Sequence, residues 1–91
     1  MKVKDIKENI KIDYNAPGCA NAAYEMDADF LNKDVFCKVG DVLKAGAQEN
    51  EIVEISFVGN SYSLMVKINN GQKINMKTLG QLIENNQIVV K

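Results

Sequence analysis

Three carboxylates at alternate positions, Glu25, Asp27 and Asp29 in the stretch YEMDADF, are the first residues whose spacing invites a chemical reading. In an extended strand they line one side, with Tyr24, Met26, Ala28 and Phe30 on the other. A calcium loop would need a glycine bend and a closing glutamate, and EMDADFLNKD has neither. Side chains two apart on a strand stand roughly 7 Å from each other, too far for all three to grip one ion unaided. A metal site is therefore the least favoured of three readings, and two others lead. The carboxylates form the solvated face of a strand, or they form an acidic strip that meets a basic partner surface.

A second charged set lies toward the C-terminus. From Lys67 onward there are four lysines against Glu84, whereas residues 19–41 hold five acids against Lys33 and Lys38, so a net charge of −1 hides an acidic middle and a basic end. If the segments around Lys67 and Lys73 pair as neighbouring strands, their ammonium groups stand side by side, with Lys77 two positions past Asn75. Like charges directly opposed in a sheet are unfavourable. Their toleration suits an anionic ligand, whether phosphate, nucleic acid or an acidic patch on a protein. The alternative is that lysine is polar filler, with Glu54 close enough to offset the pair. Met65, expected on the same face between Glu54 and Asn75, would add an apolar contact, with Ile52 and Val58 nearby.

Other chemistry is scarce. All eleven basic residues are lysine, accompanied by eleven asparagines and nine isoleucines, a bias that AT-rich codons also produce. Without arginine there are no bidentate forks for phosphate or guanine, and without histidine no group is poised near neutral pH. Neither the nucleophile elbow G-x-S-x-G nor the phosphate loop G-x-x-x-x-G-K-[ST] occurs. Cys19 follows Pro17-Gly18 but has no base in sequence to activate it. Cys19 and Cys37 lack the C-x-x-C spacing and histidine partners of a zinc site. The expectation is a non-enzymatic chain with no metal or cofactor, its thiols serving as small hydrophobes of a reducing compartment. No apolar run is long enough to span a bilayer, and MKVKDIKENIKI lacks a signal-peptide apolar block. A cytoplasmic location without membrane attachment is therefore expected.

Ninety-one residues make one domain. Its clearest element signals lie in the second half. EIVEISFV and SYSLMVKI both alternate, and Gly59-Asn60 between them reads as a two-residue hairpin loop. That loop sets Phe57 opposite Tyr62, Ile55 opposite Leu64 and Val53 opposite Val66, with these apolar residues on one buried face. A three-residue turn over 69–71, with Gly71 in the left-handed conformation, then sets Val66 against Ile74, Leu64 against Met76 and Lys67 against Lys73. Thr78 with Gln81 has capping-box spacing, and Leu79, Leu82 and Ile83 supply a helical stripe. A short helix near 78–85 follows, weakened at Gly80 by about 1 kcal/mol relative to alanine, and QIVVK closes the chain as a strand.

Upstream, DVFCKVGDVL reads as a strand ending at a Gly40-Asp41 turn, and KAGAQEN as an irregular loop. Residues 1–33 form an N-terminal extension. Val3, Ile6 and Ile10 suit a helix, and Ile10, Ile12 and Tyr14 a strand. NAPG over 15–18 suits a type II turn. For 24–30 the strand is preferred, the alternative being an alanine-rich helix with Ala23, Met26 and Phe30 inward.

The order of strand, loop, three-stranded meander, helical turn and last strand over residues 34–91 resembles the SH3-like small barrel. The fold class is thus mainly β with minor α, either an SH3-like small barrel or a strongly twisted antiparallel sheet. In size and composition the chain is similar to compact barrel proteins encoded by phages and mobile elements of low-GC bacteria. That resemblance implies a small protein that binds and modulates or inhibits a host macromolecule through its charged surfaces, with a host protein as partner. Two other readings accompany it: a nucleic-acid-binding module using the lysine face, and a binder of a small anionic metabolite or signalling nucleotide. Homodimerisation through an open sheet edge is compatible with each.

Overall fold

Strict alternation over the two longest apolar runs places them at the centre of a sheet. In the computed structural model, which describes residues 1–12, 28–58 and 63–91, the elements are α1 (Val3–Ile6), a 3-10 turn (Lys7–Asn9), β1 (Ile10–Ile12), α2 (Ala28–Leu31), β2 (Val42–Ala45), β3 (Gln48–Val58), β4 (Ser63–Ile68), β5 (Lys73–Asn75), α3 (Met76–Glu84) and β6 (Val89–Val90). The sheet runs β5-β4-β3-β2-β6, with β1 paired parallel to β3 outside that path. All the other pairings are antiparallel. The described sheet is open, so the twisted antiparallel sheet fits and a closed barrel does not.

The second meander turn has the expected register. Val66 faces Ile74 and Lys67 faces Lys73, and Gly71 adopts φ +92°, a conformation that costs glycine little and other residues much. The first hairpin differs. Phe57 faces Leu64 and Ile55 faces Val66, a slide of two residues from the two-residue-loop register, with Val58 paired to Ser63. Gly59-Asn60 and Tyr62 lie outside the described residues. A slide of two keeps every side chain on its own face, so alternation cannot distinguish the two registers.

A bulge between Ile52 and Glu54 makes the second difference. It buries Ile52 with Ile55 and Phe57, leaving Val53 45% exposed. One extra residue in the strand reverses the parity on its far side, and the larger Ile52 takes the core place that alternation assigns to Val53. Ile52 therefore contributes nothing to an outer patch beside Met65, and the side chain of Val58 is not among those described.

Three further corrections are local. KAGAQEN is no loop: it holds the end of β2, a tight turn with Gly46 at φ +62°, and the start of β3. The upstream strand occupies 42–45 and not the stretch before Gly40. Residues 28–31 are helical, against the expected strand, and Phe30 turns inward at 3% exposure. Its ring meets Phe57 edge-on, with centroids 5.0 Å apart, so a local helix is favoured by an aromatic contact that alternation does not report. The rest of 24–30, and the turn expected over 15–18, lie outside the described residues. As expected, α1 leads through the 3-10 turn into β1.

The helix after β5 begins at Met76, two residues before the Thr78 start that the capping box suggests. Asn75 is extended, and its side-chain oxygen accepts the Lys77 N–H at 2.9 Å, which satisfies one of the donors left over at a helix start. Met76 and Leu79 reach the core, and Ile83 packs against it from the next turn. Leu82 and Ile83 carbonyls accept the turn that follows, where Asn86 adopts φ +60°.

Candidate partner-binding face and the adjoining groove

Alternation along β4 sends Leu64, Val66 and Ile68 into the core and leaves Ser63, Met65 and Lys67 partly exposed. Ladder pairing then decides their neighbours. Lys67 lies opposite Glu54 on one side and Lys73 on the other. Met65 lies opposite Ser56 and Asn75, so the two-residue slide replaces its expected neighbour Glu54 with Ser56. Glu54 is not available to offset the lysine pair as a dedicated partner. Its carboxylate forms an ion pair with Lys11 Nζ of β1 at 3.1 Å. Among the described residues, Lys67, Lys73 and Lys77 form no ion pair. Directly opposed strand residues have Cβ atoms about 4.5–5.5 Å apart, so a carboxylate or phosphate arriving from solvent can lie between the two ammonium groups.

Lys77, exposed in the first turn of α3, stands where this face passes into a groove. The groove encloses about 930 Å³ between α3, the start of β4 and residues 33–36. Its floor is apolar, from Phe30, Leu64 and Met76, and its rim carries Lys33, Asp34, Lys77 and Glu84. Lys33 Nζ is held 5.7 Å from the centroid of the Phe30 ring, a cation–π distance. Asp34 is committed elsewhere: its carboxylate accepts Lys2 Nζ at 2.7 Å, and that hydrogen bond, with the lysine charge, holds its pKa below the ordinary value.

Gly80 explains itself here. A Cβ at that position would meet three atoms of the Phe36 ring at 2.3–2.8 Å, so the ring packs this close to the helix only because no side chain intervenes. Phe36 remains 43% exposed, an apolar wall at the groove mouth. The sequence signal for this contact was a glycine in an otherwise good helix, which a helix accepts at a cost.

Of the acidic strip, Asp29 is exposed on α2, while Glu25 and Asp27 lie outside the described residues. Cys37 is fully buried, with its Sγ 3.9 Å from the Met76 Sδ. Burial, with a smaller contribution from the Asp41 charge, pushes its thiol up to about 12. That makes it a neutral packing group at physiological pH. Cys19 is outside the described residues. Among the described residues, no group of three or more His, Cys, Asp or Glu is placed to hold a metal ion, and no helix is long and apolar enough to cross a membrane. Compared with protein-family models, curated proteins and solved structures, the chain matches none.

Proposed function

We propose that this is a small, non-enzymatic, cytoplasmic binding protein that meets an acidic patch on a host protein through Lys67, Lys73 and Lys77. The observation that carries this reading is the direct pairing of Lys67 with Lys73, both without an ion-pair partner among the described residues. Stability alone favours an opposite charge at one of these positions; an anion from a partner relieves the repulsion on binding. Met65 beside the pair adds apolar contact, and specific interfaces combine such contacts with complementary charge.

A protein fits better than a nucleic acid. The chain has a net charge of −1 and no arginine, so it lacks the broad positive field and the planar forks that nucleic-acid readers use. The similarity in size and composition to small proteins of phages and mobile elements is in keeping with a role in binding and blocking, or escorting, the host partner. Asp29, exposed on α2, is a second docking candidate under this proposal, together with Glu25 and Asp27.

The test is capture from host lysate with the immobilised chain and its Lys67→Glu/Lys73→Glu variant. One co-purifying protein, retained by the parent chain and lost with the variant, is expected. Retention by both, with loss on changing Glu25, Asp27 and Asp29 to alanine, moves the contact to the acidic strip. Nuclease-sensitive binding whose affinity falls steeply with salt replaces the protein partner with a nucleic acid. A rise in melting temperature with an added nucleotide replaces it with a small anion.

A further inference from the structure

We infer that the groove beside α3 receives an apolar anchor from the same partner segment whose carboxylates meet the lysine face. The ligand is then one protein segment that joins large apolar side chains to acidic residues. This deepens the lysine-face reading and rests on it.

Continuity comes first. Asn75 pairs with Met65 on the lysine face, caps α3, and also lines the groove. Lys77 lines the groove one position past its first helical residue. A segment bound across Lys67 and Lys73 thus reaches the groove by turning round the end of the sheet at Asn75 and Lys77, both of which line it.

The chemistry of the groove agrees. Phe30, Leu64 and Met76 supply an apolar lining beside the uncharged polar Ser63, Asn75 and Gln81, whereas Lys33 and Lys77 on its rim carry charges with no ion pair among the described residues. Asp34 is already neutralised by Lys2. A volume of about 930 Å³ lies near the top of the range for ligand pockets, roughly 300–1,000 Å³, so more than one anchor side chain fits. Anchors of this kind, seated in a pocket and ringed by polar contacts, dominate the energy of protein interfaces.

The rim also sets a direction. Glu84 stands seven residues after Lys77 on α3, about 10 Å along the helix. An occupant's acids belong beside Lys67, Lys73 and Lys77, and its anchor toward the Glu84 end, where another carboxylate is repelled.

Random peptides displayed on phage are selected against the full chain, against Lys67→Glu/Lys73→Glu, and against Gln81→Trp, which places a bulky ring in the groove from an exposed helical position. Glu84→Trp serves as a second blocked variant, and circular dichroism confirms that each is folded. The expected selection is peptides with two or more large apolar residues and acids clustered at one end. The best of these should lose at least about tenfold in affinity, or roughly 1.4 kcal/mol, to each class of variant. Acidic peptides that lack anchors, or whose affinity is unchanged by both tryptophan variants, overturn the groove inference and leave the lysine face standing. Apolar peptides without acids, indifferent to the lysine reversals, overturn the lysine-face reading and the joint ligand with it. No enrichment over an unrelated protein of similar size also overturns the inference.

Discussion

Replacing Gly80 with alanine has opposite consequences depending on whether Phe36 is present. Taken alone, the helix gains about 1 kcal/mol when alanine replaces an interior glycine. Against this, the new methyl meets the Phe36 Cε2 at 2.3 Å, more than 1 Å inside ordinary contact, with two more ring atoms at 2.8 Å. A ring cannot yield as the tip of a lysine can, so it must swing away from the helix. Phe36 is 43% exposed, leaving somewhat over half of its surface covered. For an aromatic side chain that is on the order of 100 Å², or about 2.5 kcal/mol of burial at 25 cal/mol per Å². The net expectation for Gly80→Ala is a loss of about 1–2 kcal/mol, or a fall in Tm of several degrees for a domain of this size. In a Phe36→Ala background the collision is gone and the propensity gain stands alone, so the same change should stabilise by about 1 kcal/mol. Urea unfolding of the four proteins in this double-mutant cycle gives the coupling directly. Stabilisation by Gly80→Ala in both backgrounds, or a coupling within error of zero, would show that the ring does not rest on the helix as described.

The bulge in β3 gives a second expectation: Val53→Thr should change stability by less than about 0.5 kcal/mol, whereas Ile52→Ala should cost about 2–5 kcal/mol, both by urea unfolding, and comparable costs at the two positions would contradict the bulged register. Cys37 should resist alkylation near pH 8 in a Cys19→Ser background, reacting only as fast as the chain unfolds, because its thiol is buried and protonated up to about pH 12. Since the raised pKa favours the protonated folded state, its contribution to stability should persist below the ordinary value of 9.0 and be lost as pH rises toward 12; Cys37→Ala should remove that part of the alkaline loss in a pH series of thermal melts. Two of the lysine-paired carboxylates, Asp34 with Lys2 and Glu49 with Lys91, have lowered pKa values, chiefly through their hydrogen bonds to those lysines. Their stabilisation should be present above the ordinary values of 3.8 and 4.5 and disappear as pH falls through the lowered ones, and a Lys2→Met/Lys91→Met variant should show a shallower acid loss at low salt, with both exposed pairs screened as salt rises.

Sequence alone determined which faces are apolar in β4 and in β3 beyond its bulge, that Lys67 opposes Lys73, and that a helix follows the meander. Each rests on interactions between near neighbours: alternation sets the two faces of a strand, Gly71 sets a short turn, and a short turn fixes the register across it. Tertiary structure decided the rest. The two-residue slide of the first hairpin preserves parity, so no local pattern separates it from the expected pairing. The bulge that buries Ile52 over Val53 depends on the volume the core must fill, as Phe30 turning in against Phe57 depends on a partner about thirty positions away along the chain. The groove has no sequence signature because residues 33–36, the start of β4 and α3 meet only after folding. Glu54 lies beside Lys67 in the ladder, yet its ion pair is with Lys11, which arrives on a strand from the other end of the chain. Which charges remain for a partner is thus a property of distant segments brought together, and chain order does not encode it.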